Sequence, residues 1–120
     1  MSRDLGSAGS GVHHWWVQRL TAVALVPLGV WLLVSLLTLP SLDFVTLVSW
    51  IAGTWTASLL TLFVLIAGWH SSLGVQVVLE DYVHDQGLKT VTLVLSGFVH
   101  AVLAVLGVFA VLRIAFGSPL

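Results

Sequence analysis

Read for the alternation of apolar and polar positions, the chain falls into three long apolar stretches separated by short polar ones. Leu20 to Leu42, Phe44 to Leu79 and Val91 to Leu112 contain no Asp, Glu, Lys or Arg. A helix needs about 20 mostly apolar residues to cross a hydrocarbon layer of about 30 Å, and each stretch is long enough. The pattern predicts an all-α transmembrane protein, a three-helix membrane anchor with spans over about 15–39, 50–79 and 90–113. Trp15 and Trp16 open the first span as interfacial aromatics do, Pro27 is expected to kink it, and Pro40 to end it. The second stretch exceeds one crossing. Its first part (Trp50, Thr54, Trp55, Thr56) reads as interface leading into a tilted helix. Lys89 and Arg113 bracket the third span, where both can snorkel. Residues 1–13, rich in Gly and Ser, are expected to form a flexible cytoplasmic tail, with 14–120 as one membrane domain.

Composition agrees with the pattern. With 58% hydrophobic and 8% charged residues, 120 residues are too apolar to wrap one small water-soluble core. A formal net charge of -1 supplies no basic field, which excludes nucleic acid as a main partner. The cysteine count of 0 excludes disulfides, thiolate nucleophiles and cysteine-ligated zinc or iron-sulfur clusters within the chain. No secretory leader is expected, since the first long apolar run begins only near Leu20. Three spans place Arg3, Arg19 and Lys89 on one side and Arg113 on the other, so basic residues favour a cytoplasmic N-terminus.

The polar residues within the spans are the candidates for chemistry, because an ionisable group at a span's centre costs roughly 2.5–3.5 kcal/mol on insertion scales. His70 and His100 each lie about nine or ten residues from the same end of their helices, roughly 14–15 Å deep. An imidazole at that depth either hydrogen-bonds a neighbouring helix or ligates a metal. Haem iron suits the second role, since it brings four nitrogens of its own on an apolar plate. On a helix, His70 shares its face with Phe63, Ala67, Gly74, Val77 and Asp81, and Gly74 leaves room for a porphyrin edge. His100 has Ser96 and Ala104 at equivalent offsets, so spacing alone does not separate the two histidines.

A second constellation gathers at the cytoplasmic interface. His13, His14, Gln18 and Arg19 begin the first helix, and Glu80, Asp81, Tyr82, His84 and Asp85 leave the second. The Arg19 guanidinium requires an anion, either a carboxylate such as Asp81 or a cofactor propionate. The Tyr82 hydroxyl can donate to a headgroup carbonyl, with Asp81 beside it to orient donors or relay a proton. The alternative for the whole group is an aromatic belt with loop charges.

The run from Gly11 through His13, His14, Trp15, Trp16 and Arg19 to Ala22, together with His70-Ser71-Ser72-Leu73-Gly74 and Asp81-Tyr82, resembles the small hydrophobic membrane-anchor subunit of bacterial succinate dehydrogenase. The resemblance spans nearly the whole chain. It implies a non-catalytic subunit of a multi-pass complex in the bacterial inner membrane, with a cytochrome b anchor subunit, an iron-sulfur subunit and a flavoprotein as partners. It further implies that His70 is one axial ligand of haem b, shared with the cytochrome b subunit, and that Arg19 contacts a haem propionate. Tyr82 would donate a hydrogen bond to ubiquinone, with Asp81 supporting that site. It implies no ligand in the third span and a histidine near the start of the first, without distinguishing His13 from His14.

Two other readings accompany this one. His70 and His100 could both ligate one haem within this chain, as an electron carrier of another oxidoreductase. Alternatively, both histidines only hydrogen-bond, in a structural or transport subunit.

Overall fold

The computed structural model describes residues 2–117, with side chains from residue 11 onward. It contains α1 (Ser2–Thr38), α2 (Phe44–Ile51), α3 (Thr54–Tyr82) and α4 (Gln86–Ala115), with no strand among the described residues. Gly11–Thr38, Thr54–Tyr82 and Gln86–Ala115 are each long and apolar enough to cross a membrane, as the hydropathy pattern predicts.

The boundaries follow local chemistry. The Gly- and Ser-rich residues from Ser2 to His13 continue α1 as helix. Gly and Ser are weak helix formers, but lengthening an existing helix costs far less than nucleating one. Pro27 lies inside α1, and the helix stops at Thr38, two residues before Pro40. The long second stretch divides in two. Asp43 caps α2 by accepting from Thr46 N at 2.8 Å, and the hydrogen bonds of Thr46 and Ser41 hold its carboxyl below the usual carboxylate range. Gly53, in extended conformation, then separates α2 from α3. Asp85 caps α4 through Leu88 N at 2.8 Å, which gives that carboxylate a structural role. Gly117, at φ 84°, ends α4 in the left-handed region that glycine tolerates best.

Several hydroxyl groups inside the spans are satisfied locally. Thr38, Ser58, Thr61, Thr90 and Thr92 each donate to the carbonyl four residues back at 2.7–3.0 Å, as a medium without water demands.

The helices form a row rather than a closed bundle. α3 packs against α1 on one flank and α4 on the other, while no Cα of α1 comes within 8 Å of one in α4 among the described residues. The short α2 meets α3 and α4 at the opposite end from the α3–α4 connection, and its Trp50 stacks on Trp31 of α1 at 5.9 Å. Only Thr21, Leu28 and Ala57 are buried among the described residues. The remaining apolar surface faces outward, as suits a chain whose solvent is lipid and neighbouring protein.

Small residues let α3 and α4 approach closely. A Cβ at Gly68 would stand 3.7 Å from that of Ala104, and one at Gly107 would lie 2.9 Å from Val64 Cγ1. Valine is stiff at χ1 and cannot easily turn aside. Gly107→Ala is therefore expected to destabilise the helix pair by about 1–3 kcal/mol. Gly97→Ala, where a Cβ meets nothing within 4 Å, should be nearly neutral. Thermal unfolding of the detergent-solubilised protein, followed by circular dichroism, compares the two.

Candidate functional site

On α1, His14, Gln18, Thr21 and Leu28 recur at spacings of four, three and seven, which turns them toward one side of the helix. The side chain of Thr21 is 5% exposed and meets α3, where its Oγ1 lies 2.8 Å from Nδ1 of His70. The same hydroxyl donates into its own helix, at the carbonyls of Val17 (2.8 Å) and Gln18 (3.0 Å). His70 is thus held through one ring nitrogen by the neighbouring span.

Beside this contact a groove of about 470 Å³ runs between α1 and α3, with His70, Arg19, His14, Gln18 and Trp15 among its walls. Two expected site residues, His70 and Arg19, therefore share one concavity. The Arg19 guanidinium sits 5.2 Å from the centre of the Trp15 ring, itself edge-on to Trp16. Among the described residues it meets no carboxylate, so of the two anions that sequence reading offered, Asp81 and a cofactor propionate, the pairing with Asp81 is not made. Two polar atoms of residues that line the groove, His14 Nε2 and Gln18 Oε1, are buried without a hydrogen-bond partner among the described residues. Buried polar atoms are rarely left so.

His13 and His14 separate here. His14 lines the groove that holds His70, whereas His13, together with His14, lines a neighbouring one of about 510 Å³ shared with Trp69, Gln76 and Glu80. In that second groove Gln76 donates to Glu80 at 3.0 Å.

Asp81 and Tyr82 stand at the last turn of α3, outside the His70 groove, and Tyr82 is 78% exposed. Asp81 lies eleven residues beyond His70, three turns along the same face and about 16 Å toward the helix end. The structure thus divides the expected residues into a mid-span pair, His70 and Arg19, and a terminal pair, Asp81 and Tyr82.

His100 occupies a different interface. Its Nδ1 lies 2.8 Å from the Ser96 carbonyl, to which an N–H there donates, and 3.3 Å from Ser96 Oγ. The Ser71 hydroxyl stands 3.0 Å from Nε2 and, with Nδ1 protonated, is the donor. Both ring nitrogens are engaged within the chain, between α3 and α4. Among the described residues no three His, Asp or Glu side chains gather around a possible metal ion. One imidazole is nevertheless enough for a metal that carries equatorial ligands of its own.

The two residues whose partnerships sequence reading passed over are Thr21 and Ser71. Gln18 and Thr21 follow His14 at helical spacing, a detectable signal. Ser71 carries none, since its partner is 29 residues away on another helix.

Three apolar spans with a polar groove between two of them define a multi-pass helical membrane subunit. The comparisons make that class specific: the model of the family "Succinate dehydrogenase/Fumarate reductase transmembrane subunit" matches residues 1–116. The succinate dehydrogenase hydrophobic membrane anchor subunit of Rickettsia conorii is 33% identical over 95 residues, 78% of this chain and 75% of its own. That of Rickettsia bellii is 34% identical over 105 residues, 87% and 82% of the two chains. The succinate dehydrogenase membrane anchor subunit of Reclinomonas americana is 29% identical over 89 residues, 72% and 74%. The chain belongs to this family of transmembrane subunits, on the branch of the succinate dehydrogenase hydrophobic membrane anchors.

The His100–Ser71 contact yields a prediction. Interhelical hydrogen bonds in membranes average about 0.6 kcal/mol and reach about 1.7. His100→Ala and Ser71→Ala should each lower stability within that range, and the double variant should cost less than their sum. A double-mutant cycle on thermal or denaturant unfolding reads the coupling.

Proposed function

We propose that this chain is the membrane anchor of a succinate:quinone oxidoreductase, helps hold haem b, and forms part of the ubiquinone site. His70 is the axial ligand from this chain, and the second ligand comes from a cytochrome b anchor subunit. The observation that carries the reading is the position of His70: anchored through Nδ1 by Thr21, in a groove that also presents Arg19.

The residues present fit the group. The Arg19 guanidinium suits a propionate carboxylate, and His14 lines the same groove. A Cβ at Gly74, one turn from His70, would meet nothing within 4 Å, so the glycine leaves open space that this chain does not fill. Haem, when bound, supplies a one-electron carrier whose potential is set by its axial ligands and surroundings. This chain's contribution is to orient the imidazole, offset propionate charge, and exclude water along the α1–α3 groove.

At the end of α3, Tyr82 donates its phenolic proton to a quinone carbonyl, and Asp81 supports that donor and the incoming protons. Succinate is oxidised on the flavoprotein subunit, with electrons delivered through the iron-sulfur subunit to the quinone. The excess of basic residues puts the N-terminus and the Asp81–Tyr82 end on the cytoplasmic side of a bacterial inner membrane.

A haem ligated by His70 and His100 within this chain is the less favoured reading. His70 faces α1 whereas His100 is engaged on the α4 side of α3 with both nitrogens used.

His70→Ala should abolish the reduced-minus-oxidised b-type signal of the purified complex. Arg19→Ala removes a charge-assisted hydrogen bond of about 1.5–3 kcal/mol, so haem retention should weaken about 10-fold to 100-fold, measured as haem per flavin after dialysis. Tyr82→Phe should lower quinone reductase activity up to about tenfold while succinate oxidation with a soluble dye persists. An equal fall in both assays would count against a role confined to the quinone end.

A further inference from the structure

Thr21 is the most buried polar residue among those described, yet neither composition nor motif assigns it a task. Its oxygen makes three contacts with one proton to give: the carbonyls of Val17 and Gln18 at 2.8 and 3.0 Å, and Nδ1 of His70 at 2.8 Å. Carbonyls can only accept, so the hydroxyl proton belongs to the helix. The lone pair turned toward α3 must then receive a proton from the imidazole.

We infer that Thr21 is a positioning residue for His70: it accepts the Nδ1–H, fixes the ring's tautomer and rotation, and thereby presents Nε2 as a bare lone pair to the iron. The inference rests on the proposed ligation by His70 and deepens it. A partner that takes the second ring proton of a ligating histidine also raises the ligand's basicity. A more basic imidazole donates more strongly and favours the oxidised metal. Thr21 consequently holds the potential of the haem down. Its own back-bonding to Val17 and Gln18 makes this acceptor rigid, since rotating the hydroxyl proton toward His70 would forfeit both carbonyl contacts.

The test uses the intact complex carrying Thr21→Val, which keeps the shape and loses the acceptor, with Thr21→Ser, which keeps the acceptor. Spectroelectrochemical titration of the b-type signal reads the midpoint potential. Thr21→Val should move it upward, by up to tenfold in the one-electron equilibrium, about 59 mV. Thr21→Ser should return it toward the native value. Thr21→Ala provides a second truncation in case valine impairs assembly, and its shift should have the same sign.

An unchanged potential in Thr21→Val and Thr21→Ala would overturn the role of Thr21. So would a shift in Thr21→Ser equal to that of Thr21→Val, which would mark packing rather than acceptance. In a parallel His70→Ala complex, haem loss leaves the ligand reading standing whatever Thr21 does. Haem retained there would overturn that reading itself.

Discussion

Two consecutive residues of α3 fasten its two neighbours. His70 meets Thr21 of α1, and Ser71, a hundred degrees around the helix, meets His100 of α4. Because no Cα of α1 comes within 8 Å of one in α4 among the described residues, the spans are joined mainly through α3, with α2 linking α1 and α4 at one end through the Trp31–Trp50 stack and its packing on α4. Apolar burial contributes little discrimination where lipid is as apolar as leucine, so polar pins and close small-residue contacts set the register. Near mid-span no water is at hand to replace a lost partner, and each pin fixes a rotation as well as a distance. The rotation that turns Ser71 to α4 also turns His70 to α1, away from lipid.

That geometry separates two histidines that look alike in sequence. His100 spends both nitrogens inside the chain, on the Ser96 carbonyl and the Ser71 hydroxyl. His70 engages Thr21 through Nδ1 and opens onto a groove shared with Arg19. On the proposed reading the groove is a half-site. Its walls come from α1 and α3, two buried polar atoms of its lining residues lack partners among the described residues, and the exposed apolar faces of the row offer surface for further helices. A row of three spans is well suited to that arrangement, because a closed bundle would bury the face that a second subunit needs.

Much of the fold was legible in the sequence. The charge-free stretches located the spans, and the periodicity around His70 and the position of Arg19 identified two residues that the structure places in one groove. Three features were not. The first residues of α1 carry Gly and Ser, whose weak propensity suggested a tail, but continuation of an established helix overrode it. The split of the second stretch at Gly53 depends on an extended backbone conformation that hydropathy does not encode. Thr21 reads as an ordinary residue of an apolar span, because its significance lies in a contact 49 residues away. Pairings of that kind depend on how two helices are rotated against each other, which a periodic pattern constrains only to a face.

The central claim is that the α1–α3 contact aims a bare imidazole nitrogen at iron. A density map of the intact native complex, resolved well enough to place the His70 ring, tests it most directly. The account predicts Nε2 on the iron of a porphyrin seated beside α3 and Nδ1 within hydrogen-bond reach of the Thr21 oxygen. A ring whose Nε2 faces lipid or a backbone carbonyl, with no porphyrin alongside, would contradict it.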